Sequence, residues 1–173
     1  MASELSSIIS QLSGATLFIG SVARARELGD LAADLLILEP STRRRKLGRQ
    51  AAGLRLMRAD PVYPPLSKER LDAVIVAEEL GRQADGLKAV SAWRDLLRPG
   101  GLLLVLEPES VTPIVGGLRR LMTGAPAFRP PEAVSAMLLN AGLASVGQQI
   151  LQGKSVGVLT RGIRRVHAVA WDG

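Results

Sequence analysis

The sequence contains no cysteine and a single histidine, His167, among 173 residues. The lack of cysteine excludes disulfides, thiolate metal sites and a cysteine nucleophile. One histidine cannot build a histidine-based metal cluster, and it disfavours a serine–histidine catalytic pair. We therefore expect no metal site, and we interpret His167 as a packed or edge residue of a late strand.

Aromatic residues are also scarce, at 3% of the chain, although apolar residues reach 47%. Leu, Val, Ile and Ala must therefore fill a core, and the apolar fraction excludes a disordered segment. Long hydrophobic runs are missing: a run such as 101–106 is far shorter than a membrane span. The first residues carry an early Glu4 and no basic region, unlike a signal peptide. We expect a cytoplasmic protein without a membrane span.

The net charge of +6 is carried mostly by arginine. A basic domain can favour phosphates or acidic partners, and the run Arg43 to Lys46 could contact either. Proteins that bind single-stranded nucleic acid usually add exposed aromatic residues, which this chain hardly has. We therefore attribute the arginines to a GC-rich genome and keep nucleic-acid binding as a second alternative.

Apolar runs typical of strands alternate with helical patterns along the chain. Strands are predicted at 15–19, 35–38, 54–57, 73–77, 101–106, about 143–151 and 165–171, with an optional short strand at 154–160. Helices are predicted at 4–12, 23–31, 41–53, 87–97, 113–122 and 130–140. This alternation is typical of a parallel sheet covered on both faces. We predict one α/β domain over 1–173, with a short N-terminal helix in 1–13 and a core at 15–171.

The segments RLDAVIVAEEL and WRDLLRPGGLLLVLEP form the most specific motif. An Asp opens a buried strand, a helix follows, and Leu-Arg-Pro-Gly-Gly leads into another buried strand. Gly100 can take the left-handed conformation that stops a helix, and Gly101 lets the chain turn into the sheet. The pattern resembles the fourth and fifth strands of class I S-adenosylmethionine-dependent methyltransferases. The resemblance implies a Rossmann-like domain with a mostly parallel sheet, an antiparallel late strand and helices on both faces.

The resemblance also implies three cofactor-binding positions, at Gly20, Glu39 and Asp60. Gly20 matches the first glycine of the family's loop. Glu39 ends the second strand 19 residues later, where the family's acid accepts hydrogen bonds from the ribose. Asp60 ends the third strand, near the place of the adenine amino group. The alternatives are a polar strand end for Glu39 and a turn-starting residue for Asp60.

The glycine loop departs from the family's acid followed by Gly-x-Gly-x-Gly. Phe18 stands in place of the acid, Val22 in place of the second glycine and Arg24 in place of the third. A branched side chain and a cation would then lie near the methionine part of the cofactor, and the partner of its amino group is missing. Either S-adenosylmethionine binding is lost, or the loop is remodelled and still binds it or another nucleotide.

Four acids follow the fourth and fifth strands: Glu78, Glu79, Glu107 and Glu109. Ligands in open α/β sheets lie beyond these strand ends, so the acids should line a crevice. Glu78 and Glu79 are the candidates for orienting a substrate nucleophile or acting as its base. The alternative role is solubilising charge.

The leading hypothesis is a cofactor-impaired or non-catalytic domain that acts through a protein partner or as a homo-oligomer. The altered loop motivates it, together with the expectation that about a dozen residues before the first strand are too few for the helical lid that covers cofactor and substrate in many small-molecule methyltransferases. The alternative is an active S-adenosylmethionine-dependent methyltransferase of small molecules, since methyl transfer mainly needs alignment.

Overall fold

The computed structural model describes residues 4–28, 35–40, 53–108, 129–151 and 157–166. In these ranges the helices are α1 (Glu4–Ser10), α2 (Val22–Arg26), α3 (Gly86–Leu96) and α4 (Pro131–Asn140), with a 3₁₀ turn at Leu80–Arg82. The strands are β1 (Thr16–Ile19), β2 (Leu36–Pro40), β3 (Arg55–Ala59), β4 (Leu71–Ala77), β5 (Leu97–Pro108), β6 (Leu143–Leu151) and β7 (Gly157–Arg164). No helix in the described ranges is long and apolar enough to span a membrane.

The strands form a seven-stranded mixed sheet in the order β3-β2-β1-β4-β5-β7-β6. The first five strands along the chain pair in parallel, and β7 runs antiparallel to both β5 and β6. The prediction of a mostly parallel sheet with an antiparallel late strand is confirmed. After β1 the chain adds β2 and then β3 on one side of β1, and it returns to place β4 on the other side. The carboxyl ends of β1 and β4 therefore meet at the topological switch point, where ligands of open α/β sheets bind.

Alternate residues of the parallel strands feed two separate apolar cores, one on each face of the sheet. Leu17 and Ile19 of β1 lie in the core that also contains residues of α3 and α4. Phe18, between them, lies in the core that contains Ile9 of α1 and Ala25 of α2. Helices therefore cover both faces, as predicted.

Local contacts fix α3 against the loop that precedes β4. The carboxylate of Asp85 caps the helix by accepting a hydrogen bond from the Lys88 N–H at 2.9 Å. Trp93 is fully buried, and its indole N–H donates to the carbonyl oxygen of Pro61 at 2.7 Å. A proline-broken loop is thereby fastened beside the carboxyl end of β3.

The Leu-Arg-Pro-Gly-Gly segment differs from its prediction. The helix ends at Leu96, and β5 begins at once with Leu97, which pairs with Leu71. The pairing register then shifts before Leu102 pairs with Ala73, so the glycines lie in an irregular stretch of strand. Gly100 does take the left-handed conformation, with φ of +80°, but inside this bulge and not as a helix stop.

The last strand in the described ranges is β7 at 157–164, which overlaps the optional strand predicted at 154–160. Arg165 and Val166 lie outside any strand, and the rest of the strand predicted at 165–171 lies beyond the described ranges. The helices predicted at 41–53 and 113–122 fall on residues 41–52 and 109–128, beyond the described ranges. The same holds for His167, Glu109 and the Arg43 to Lys46 run.

Candidate cofactor and active site

The glycine turn after β1 lies between the ends of β2 and β4. The Gly20 N–H donates to the carbonyl oxygen of Leu38 at 3.0 Å, which holds the turn against β2. A Cβ at Gly20 would lie 2.9 Å from the Phe18 ring and 3.2 Å from the Ala77 carbonyl oxygen. The turn thus packs so closely against the end of β4 that only glycine fits without a shift.

Glu39 lies at the carboxyl end of β2, one strand from this turn. Its residue exposure is 3%, and its Oε2 lies 3.2 Å from Nη2 of Arg58 on β3. Arg58 supplies the partner that a buried acid requires, and the alternative of a polar strand end stays open for Glu39. Its position beside the glycine turn is the one predicted for a ribose-binding acid.

Asp60 follows β3 and has a local structural role. Its Oδ1 accepts the Val62 N–H at 2.8 Å, and its carbonyl oxygen accepts the Tyr63 N–H at 3.1 Å. This is the turn-starting role considered for Asp60 from the sequence. Its proposed place near an adenine amino group stays a prediction.

The substituted loop positions differ in how they are placed. Phe18 is fully buried in the core, and Val22 is 2% exposed, so protein atoms cover both side chains. Arg24 lies in the first turn of α2, where Ser21 caps the helix by accepting the Arg24 N–H at 3.1 Å. Its Nη2 reaches Oε1 of Glu78 at 2.9 Å. An ion pair therefore crosses the switch point from the β1 side to the β4 side.

The two candidate bases after β4 point in different directions. The Glu78 side chain is 39% exposed, whereas Glu79 is almost fully buried and its Oε1 lies 3.7 Å from Nε of Arg82. The sequence placed both at the same rim. The structure leaves Glu78 at the crevice and turns Glu79 into the protein.

Known proteins resemble this chain in sequence and in structure. Demethylmenaquinone methyltransferase of Thermus thermophilus is 33% identical over 132 residues, and the match covers 62% of this chain. The chain spans about 60% of the length of that relative. No protein-family model matches.

Solved structures match over nearly the whole chain. A methyltransferase of Thermotoga maritima, described as a possible histamine N-methyltransferase, aligns with a TM-score of 0.69 and 18% identity, over 94% of this chain and 88% of that one. A Haloferax volcanii putative methyltransferase, solved with the Trm112 methyltransferase activator, aligns with a TM-score of 0.72 and 12% identity, over 94% and 89%. The chain has the class I S-adenosylmethionine-dependent methyltransferase fold. The resemblance seen in the Leu-Arg-Pro-Gly-Gly motif is thereby confirmed at the level of the fold.

Among the described residues, those on the adenosine side of the site match the pattern of this methyltransferase fold. Those on the methionine side differ from it. Glu39 supplies a buried carboxylate, and the Gly20 turn has no side chain to keep a ligand away from the backbone. Both features suit the adenosine half of the cofactor. On the methionine side Phe18 stands at the position of the family's usual acid, and its side chain lies in the core. The Arg24–Glu78 ion pair crosses the same switch point.

Glu107, at the carboxyl end of β5, was expected only as one of the acids around the crevice. Its residue exposure is 5%, and its Oε1 has no hydrogen-bond partner among the described residues. Burial raises the pKa of Glu107 to about 7, against hydrogen bonds from the backbone of Gly81 and Leu80 that lower it. The charge of Glu78 adds to the rise and Arg129 opposes it. A buried carboxyl with a raised pKa thus lies at the carboxyl end of β5, the strand next to β4.

Proposed function

We propose that this chain is an S-adenosylmethionine-dependent methyltransferase of small molecules with a remodelled glycine loop. The observation that carries the proposal is Glu39, buried at the end of β2 and held beside the Gly20 turn. The similarity to a demethylmenaquinone methyltransferase supports it, as does the fold.

The roles of the chain's own groups follow from their placement. Glu39 would accept hydrogen bonds from the ribose hydroxyls, while the Gly20 turn lets the ligand approach the backbone. S-adenosylmethionine, when bound, supplies an activated methyl group, so that alignment of the substrate is the main requirement.

Titration calorimetry with S-adenosylhomocysteine tests the proposal. We expect binding by the unaltered chain and a loss of about tenfold or more in Glu39→Gln, because hydrogen bonds to a charged acceptor are among the stronger ones. Glu132→Gln is the matched control, since Glu132 is an exposed acid on α4, and it should bind like the unaltered chain. Unchanged affinity in Glu39→Gln would contradict the role of Glu39.

A non-catalytic role is the second candidate, favoured by the Arg24–Glu78 pair and by Phe18 in place of the acid. In that case the ion pair closes the crevice, and the domain acts through a protein partner or a second copy of itself. Absence of binding to S-adenosylhomocysteine at millimolar concentration, together with a stable oligomer by sedimentation, is the result that favours this role.

A further inference from the structure

The Arg24–Glu78 pair occupies the centre of the switch point. Arg24 donates from Nη2 to Oε1 of Glu78 at 2.9 Å and from Nη1 to Oε2 of Glu27 at 2.5 Å. The arginine side chain is 15% exposed, and the two carboxylates are 39% and 49% exposed. Glu27 thus holds the guanidinium through Nη1, while the Glu78 carboxylate on Nη2 is partly exposed to solvent.

Glu78 has a strained backbone, with φ of +60° in a residue other than glycine. Its N–H donates to the carbonyl oxygen of Leu106 at 2.9 Å, so the strained residue is tied to β5. L-residues rarely adopt this region, and such strain clusters at ligand-binding positions. The conformation fixes where the Glu78 side chain leaves the end of β4.

The pair is chemically complementary to an α-amino acid. A guanidinium binds a carboxylate with two parallel N–H donors, and a carboxylate accepts hydrogen bonds from an ammonium group. An arginine and a glutamate side by side therefore match the carboxylate and ammonium that every α-amino acid carries on one carbon.

We propose that Arg24 and Glu78 form a clamp for the amino-acid end of the ligand and replace the acid lost at Phe18. The ligand class is an adenosyl thioether or sulfonium with a free α-amino acid group. The proposal rests on the function proposed above. On binding, the ligand carboxylate takes the place of Glu78 on Arg24, and the ligand ammonium then pairs with Glu78. No buried charge is left unpaired in this exchange, because Glu27 continues to hold the guanidinium.

The clamp is tested by comparing two ligands that differ only in the amino-acid part. S-adenosylhomocysteine carries it, and 5′-methylthioadenosine ends in a methyl group. Calorimetry on the unaltered chain should give a preference of about tenfold or more for S-adenosylhomocysteine. In Arg24→Gln and in Glu78→Gln this preference should fall to about twofold, with the affinity for 5′-methylthioadenosine unchanged.

Glu69→Gln is the matched control. Glu69 also has a left-handed backbone, with φ of +58°, and pairs with Arg164 at 2.5 Å, but it precedes β4 and so lies at the opposite end of that strand from Glu78. Glu69→Gln should keep the full preference. If Arg24→Gln does not fold, the ligand preference of Glu78→Gln alone tests the clamp. Glutamine has the same shape as the glutamate it replaces, so this variant should fold.

The outcomes separate the clamp from the proposed function. If the unaltered chain binds both ligands equally, or if both variants keep the preference, the clamp is overturned while cofactor binding stands. If the unaltered chain binds neither ligand, the proposed function is overturned and the clamp with it. Loss of preference in the variants with binding of 5′-methylthioadenosine retained supports both.

Discussion

At the scale of single residues, the described carboxylates of the crevice have separate roles that the sequence could not distinguish. Glu78, Glu79 and Glu107 all follow buried strands, so the sequence placed them at one edge. In the structure their exposure and their partners differ. Glu78 pairs with Arg24, and Glu79 is buried near Arg82. Glu107 is buried, and its Oε1 has no hydrogen-bond partner among the described residues. The Arg24 partner of Glu78 is 54 residues away in the chain, so no local pattern encodes that pairing.

Glu107 should make the stability of the fold depend on pH. Its pKa is about 7 in the folded chain and near 4.5 when unfolded, so the folded state holds its proton longer. Below pH 4.5 both states are protonated and the effect vanishes. Between about pH 4.5 and 7 the unfolded state ionises first, so stability falls as the pH rises, by up to about 3 kcal/mol.

Glu107→Gln removes this titration and should stabilise the protein at pH 8 but hardly at pH 5. Urea unfolding at the two pH values measures the difference. Glu132→Gln serves again as the exposed control, and we expect a small, similar change at both pH values. An equal effect of Glu107→Gln at pH 5 and pH 8 would contradict the raised pKa.

At the scale of elements, most strands and helices could be predicted because apolar periodicity and helix-end residues are local. Prediction is weaker where pairing between distant segments decides. The strand beside β5 is 157–164, a stretch in which the sequence predicts only an optional short strand. Gly157 is the start of that strand, and a Cβ there would lie 2.5 Å from the Glu107 carbonyl oxygen. Close approach of β7 to β5 thus requires a glycine, a constraint that periodicity alone does not show.

The bulge at the start of β5 gives a prediction at the same scale. Gly100 has φ of +80°, and the nearest atom to an added Cβ, Cγ2 of Val166, is 3.9 Å away. Gly100→Ala should therefore cost stability through backbone conformation alone, by about 1–2 kcal/mol. Gly100→Asn should cost less, because asparagine tolerates the left-handed region. Urea unfolding midpoints of the two variants check this, and a neutral Ala variant would mean that the bulge rearranges.

At the scale of the whole molecule, the fold was predictable because several independent signals agreed on one architecture. Glu39, the alternation of strands and helices, and the Leu-Arg-Pro-Gly-Gly motif each matched the same strand order. The state of the cofactor site was not predictable in this way. Arg24 and Glu78 are 54 residues apart, and only the parallel pairing of β1 with β4 brings them together. The sequence therefore showed which family residues the loop lacks, and the structure adds the ion pair that crosses the switch point beside it.

Binding at the switch point should also be visible in the stability of the entire chain. A ligand that binds only the folded state stabilises it by about 2.7 kcal/mol at a concentration of 100 times its Kd. For a chain of 173 residues, this corresponds to a rise in Tm of about 5–10 °C. We expect such a rise with S-adenosylhomocysteine and no comparable rise in Glu39→Gln at the same concentration. Scanning calorimetry measures both. Because the crevice joins β1, β2 and β4, an unchanged Tm at millimolar ligand would mean that the ion pair closes the site and would favour the non-catalytic role.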